Sequence, residues 1–111
     1  MTRWGAAAVL GVALASCGSS AAVTPVSTST VDLPRSYLFQ PASIKVSVGT
    51  TVTWTNNDQF THDVELMTPE QQRLPDMKPG QKSSITFSHA GSYHYQCHYH
   101  PQNMKGDVVV S

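Results

Sequence analysis

Cys97, His100 and Met104 stand together in the run YHYQCHYHPQNMKGDVVV, a Cys-x2-His-x3-Met spacing that puts a thiolate, an imidazole and a thioether on one short loop. Calcium and magnesium select oxygen donors, so this set points to a softer ion, copper above all. One equatorial ligand is missing from the loop. His62, 35 residues before the cysteine in the stretch TVTWTNNDQFTHDVEL, can supply it. Two His, one Cys and a weak axial Met make a trigonal copper site of the kind that carries electrons.

Other residues of the same types compete for these places. If Cys97 points inward on its strand, His94 and Gln96 point to solvent, and His89 lies in a polar Ser-His-Ala-Gly turn; both histidines read as surface residues. His98 is the closer rival, yet two adjacent side chains seldom aim at one ion without strain. Met67 and Met77 read as fillers, the usual role of Met. Trp54 and the tyrosines read as core aromatics. A lone His at the start of a strand, as His62 would be, is more often structural than metal-binding.

The elements that must position these residues are strands. Ile44, Val46 and Val48 alternate on one face of Ser43–Val48, and Gly49-Thr50 turns the chain. Val52 and Trp54 then face inward from Thr51–Thr55, and His62–Met67 alternates again. Pro69–Pro79, with several polar residues, reads as a connection with room for a helical turn. Lys82–Ser88 carries Ile85 and Phe87 on one face, Ala90-Gly91 turns, Tyr93, Tyr95 and Cys97 share the next face, and Val108 and Val110 close the sheet. Seven or eight short strands without a helical period predict an all-β sandwich.

Residues 31–111 are thus expected to form one domain, large enough for a single core. Before it, Gly18–Thr30 reads GSSAAVTPVSTST, too poor in large apolar side chains to offset the entropy of ordering, so residues 17–30 read as a flexible tether with strand only from Thr30. The apolar run WGAAAVLGVALA after Arg3 is about a dozen residues long. That suits an export signal over residues 1–16 and falls short of the roughly 20 needed to span a bilayer. It ends in LASC, Leu14–Cys17, which resembles a bacterial lipobox and makes Cys17 the expected site of lipidation. Cys97 is then the only thiol of the mature chain, free to ligate metal.

From VDLPRSYLFQPASIKVSVGTTVTWTNNDQFTHDV through KPGQKSSITFSHAGSYHYQCHYHPQNMKGDVVV, the chain resembles the cupredoxins, the small blue copper proteins that include plastocyanin, amicyanin and pseudoazurin. The resemblance implies Greek-key connectivity and one type 1 copper ion held by His62, Cys97, His100 and Met104. It also implies transfer of single electrons between redox partner proteins, with docking where His100, Tyr99 and Pro101 reach the surface. The loop differs from the family pattern, being one residue longer than that of amicyanin and one shorter than that of plastocyanin. Asp63 follows His62 where those relatives usually carry Asn. Its backbone N–H can still donate to the thiolate, but a side-chain amide is lost beside the ligands.

No open coordination position or second metal motif suggests turnover, so neither enzyme activity nor an organic substrate is expected. A copper carrier or scavenger would use the same ligands in a more open site. A hydrolase built on Cys97 and His100 is disfavoured because such dyads usually come from separated segments. A metal-free adhesive sandwich leaves the clustered Cys, His and Met unexplained. Seven Lys and Arg balance seven Asp and Glu, which gives no field for nucleic acid or for a membrane surface. Attachment to the cell envelope rests on Cys17 instead, outside the cytoplasm. Cys17→Ser is therefore expected to release the protein from the membrane fraction, because a diacylated cysteine carries enough chain for stable anchoring. Mass spectrometry finding an unmodified N-terminus at another residue would remove the lipoprotein reading.

Overall fold

Alternating apolar and hydroxylated side chains give each strand one face for a core and one for water. The computed structural model describes residues 24–111, and the elements along them are nine strands. They are β1 (Val26–Ser27), β2 (Thr30–Leu33), β3 (Ser43–Val46), β4 (Thr50–Asn56), β5 (Glu65–Thr68), β6 (Gln72–Arg73), β7 (Lys82–Phe87), β8 (Gly91–Gln96) and β9 (Lys105–Val110). One sheet runs β1-β3-β9-β8-β5-β6 and the other β2-β4-β7. Only β5–β6 and β8–β9 are consecutive strands paired with each other. Every other connection passes from one sheet to the other, and the result is the expected all-β sandwich.

The inner faces are those the alternation picks out. Val31, Leu33, Ile44, Val52, Trp54, Tyr95 and Val108 are buried, and the Tyr95 ring packs edge-on against Trp54 and Phe39 at centroid distances of 5.3 and 4.8 Å. Each such aromatic pair contributes about 0.5–1.5 kcal/mol beyond the area it buries. On the outer face of β4, Thr51 and Thr53 meet Thr86 and Ser84 of β7 through hydroxyl pairs of 2.6 and 3.1 Å, a cross-strand contact that fixes register.

Several local expectations are corrected. Val48 is exposed, because β3 ends at Val46 and Ser47–Thr50 turns back on itself, with Gly49 at a φ of +92° that favours glycine. Val26 and Ser27, inside the segment read as tether, pair with Ile44 and Lys45, so strand begins before Thr30. This pairing and the two-residue β6 raise the strand count from seven or eight to nine. His62–Met67 does not start as a ladder. His62 exchanges backbone hydrogen bonds with Met77 instead, which adds structure to the connection but no helical turn. Tyr37 lies 37% exposed rather than in the core.

Gly106, on β9 opposite Tyr95, has no room for a side chain. A Cβ there would come within 2.4 Å of the Tyr95 ring and 2.8 Å of the Ala42 carbonyl oxygen, one a rigid aromatic and the other backbone. Gly106→Ala is therefore expected to cost about 1–3 kcal/mol of folding stability, the usual scale of overpacking, read from a urea titration. A midpoint equal to that of the parent would show that Tyr95 can move aside.

Candidate metal centre

Asn56 is the third inward position of β4 after Val52 and Trp54, and it is fully buried. A buried amide must be satisfied. Its Nδ2 donates to the carbonyls of Phe60 and Met77, both at 2.8 Å, and its Oδ1 accepts from the Asp58 N–H at 2.9 Å. These bonds wrap residues 57–61 around one side chain and deliver Asp58 and His62 to the same buried place. The His62 Nε2 lies 2.7 Å from the Asp58 Oδ2. A carboxylate can only accept there, so the proton sits on Nε2 and the Nδ1 lone pair is free. Burial works against ionised Asp58, but His62, the Gln59 N–H and Arg35 outweigh it and hold the carboxyl below its ordinary range.

His62 Nδ1 faces Cys97 Sγ at 3.7 Å, and both residues are fully buried. Cys97 begins a tight loop at the end of β8. The Cys97 N–H donates to the Met104 carbonyl at 3.0 Å, His100 N–H returns to the Cys97 carbonyl at 3.2 Å, and Met104 N–H to that of His100 at 3.0 Å. Met104 is fully buried immediately before β9, while His100 is half-buried with its ring 5.3 Å from that of His62. Burial pushes the Cys97 thiol above its usual range and the Asp63 charge adds to this; the backbone N–H groups of Asp63, Tyr99 and His100 act in the opposite sense by favouring the thiolate.

Asp63 is buried beside these groups, and its side chain binds the His98 N–H at 2.6 Å and the Arg73 Nε–H at 2.5 Å. His98 itself is turned out, with Nδ1 3.7 Å from Glu65. His94 pairs with Asp107 on the surface and His89 is exposed. Met77 is in the core and Met67 half-buried. Tyr99 is exposed and donates to Asp76 at 2.6 Å; Pro101 is exposed beside His100. Sequence reasoning missed Asn56, Asp58, Arg73 and Tyr37. The first two had a signal, a polar residue at an inward strand position and a carboxylate four residues before a candidate ligand. Tyr37, whose ring meets His100 edge-on at 4.7 Å and stacks on Phe60 at 5.6 Å, had none.

Among the described residues no three His, Cys, Asp or Glu side chains close on a single point. The cluster is instead His62 and Cys97 face to face, with His100 alongside and a thioether-bearing residue on the same loop. The His62–Cys97 pair has the spacing of two donors of a trigonal ion. Nitrogen and sulfur donors at about 2.0 and 2.3 Å from a borderline divalent metal stand about 3.7 Å apart at 120°, which is the separation observed, 3.7 Å. Thiolate and imidazole favour copper or zinc over hard cations, and the flanking Met favours copper.

The family model described as "Copper binding proteins, plastocyanin/azurin family" matches residues 28–111. Amicyanin of Paracoccus denitrificans is 38% identical over 76 residues, 65% of this chain and 57% of the relative. Plastocyanin of Scenedesmus fuscus is 33% identical over 87 residues, 66% of this chain and 86% of the relative. A second amicyanin, from Methylorubrum extorquens, is matched over 63% of its length, so the chain spans less than two thirds of either amicyanin. Among solved structures, a purple cupredoxin from Nitrosopumilus maritimus superposes with a TM-score of 0.70 at 27% identity, covering 76% of this chain and 100% of the other. A reduced amicyanin variant gives 0.69 at 36% identity, covering 74% and 80%. With its β-sandwich, its buried His62–Cys97 pair and these relatives, the chain belongs to the copper-binding plastocyanin/azurin family.

Proposed function

We propose that the protein is a one-electron carrier whose single type 1 copper is held by His62, Cys97, His100 and Met104, and that it is not an enzyme. The observation that carries this reading is the buried His62 Nδ1 facing Cys97 Sγ at 3.7 Å, with the imidazole oriented by Asp58. Bound copper would supply a Cu(II)/Cu(I) couple. The chain's own part is to keep the donors in one arrangement through both states, so that little rearranges when an electron arrives. Asn56 and Asp58 fix the imidazole. The Cys97–Met104 and His100–Met104 backbone bonds fix the loop. The core around Cys97 excludes water.

Electrons would enter through His100, whose half-buried ring is the most accessible of the four ligand side chains. The docking face comprises His100, Tyr99 and Pro101, to which Tyr37 and Phe60, 37% and 51% exposed, add aromatic surface. Its partners are redox proteins on either side of the couple. Residues 1–16 act as an export signal and the stretch from residue 17 up to β1 as a tether anchored by lipidated Cys17, which puts the domain at the cell envelope outside the cytoplasm; Cys17 lies outside the described residues.

One equivalent of Cu(II) added to the soluble domain is expected to give an intense visible band from thiolate-to-copper charge transfer, and Cys97→Ser to abolish it. A pale protein with tetragonal copper would favour a copper carrier. Asp58→Ala is expected to weaken copper binding about 10–100-fold, measured by competition against a chelator of known affinity. Unchanged affinity would mean that packing alone orients His62.

A further inference from the structure

The Asp63 carboxylate is fully buried, next to His62 in sequence and charged beside the Cys97 sulfur. A carboxylate in such a place is costly without a partner of opposite charge. Its partner is Arg73, which β6 carries to the sheet edge opposite Glu65. The same guanidinium reaches further. Its Nη2 lies 3.2 Å from Asp76 Oδ1 and 3.3 Å from the Tyr99 hydroxyl, and its carbon stands 5.5 Å from the centre of the Tyr99 ring. Tyr99 closes the circuit by donating to Asp76. Two successive residues after Cys97 are therefore tied to one arginine, His98 through Asp63 and Tyr99 directly.

We propose that Arg73 is a positioning residue of the copper centre: it holds Asp63 in an ion pair that clamps the ligand loop at His98 and Tyr99 and offsets the carboxylate charge beside Cys97. The inference deepens the copper reading and rests on it. A neutral amide at position 63 could accept from the His98 N–H without any counter-charge, so the need for Arg73 follows from Asp63 being a carboxylate. The electrostatic consequence has a definite sign. Oxidation adds positive charge at the metal, so an uncompensated carboxylate nearby favours the oxidised form and lowers the potential.

Voltammetry of the copper-loaded protein and amide exchange of the metal-free protein test the idea together. Arg73→Gln is expected to lower the potential by an amount on the order of a tenfold change in the oxidised-to-reduced ratio, or 59 mV, and to speed exchange at the His98 N–H. Asp63→Asn is expected to raise the potential and leave that N–H protected. In the Asp63→Asn background the Arg73→Gln change should have much less effect on exchange at His98, the non-additivity expected of a coupled pair, while the fall in potential, a through-space effect of the lost guanidinium charge, persists. Arg73→Lys keeps the charge and loses the fork, so it should hold the potential near that of the parent while exchange at His98 quickens; it also serves if Arg73→Gln does not fold. Equal quickening of exchange at His98 with and without Asp63, or a potential and an exchange rate unmoved by either Arg73 variant, would overturn the proposal. A parent protein with no blue copper band would instead overturn the copper reading, while exchange at His98 in the metal-free chain still decides the clamp.

Discussion

Everything at this site depends on keeping polar and ionisable side chains out of water while leaving none of them unpaired. His62, Asp58, Asn56 and Asp63 are all buried or nearly so, in the part of the sandwich where the chain passes from β4 to β5. Left without partners, each would cost on the order of 1–3 kcal/mol, and the carboxylates more. The fold meets this constraint by local closure. Asn56 binds residues on both sides of the loop, Asp58 binds the imidazole, and Asp63 joins that loop to the one after Cys97. The geometry presented to a metal is a by-product of satisfying those groups.

This division between apolar core and satisfied polar end explains which parts of the molecule could be read from the sequence. The inward positions of β4, β8 and β9 follow from simple alternation, because Val52, Trp54, Tyr95, Val108 and Val110 have only one favourable side to face. The Cys-x2-His-x3-Met loop was visible because its members are neighbours in the chain. Asp58 lies four residues before His62, but its role depends on a turn held by Asn56, and nothing in the spacing announces that turn. Arg73 and Tyr37 are farther still from the residues they touch. Their contacts arise from sheet pairing and from a left-handed residue, with φ of 56° at Tyr37, neither of which has a periodic signature.

The misread segments have physical causes of the same kind. Val26 and Ser27 carry no apolar pattern because their pairing with β3 is made by backbone groups alone, and both side chains stay exposed. Val48 continues the period of β3 but sits beyond the last ladder residue, where the turn to β4 rotates it outward. Hydrophobic periodicity reports which side of a strand is buried. It says little about where hydrogen bonding starts and stops.

The strand that follows all others in the described chain, β9, does not lie at an edge. It runs through the interior of the six-stranded sheet, hydrogen-bonded to β3 on one side and β8 on the other. Until it is in place the larger sheet is split into two fragments, β1-β3 and β8-β5-β6, with open edges facing one another. Met104 sits immediately before it. A chain emerging from its N-terminus onward, whether from a ribosome or a translocation pore, therefore cannot close the sandwich around Cys97 until β9 has been delivered. The Cys97 N–H, bonded to the Met104 carbonyl, ties the thiol-bearing loop to the arrival of that strand.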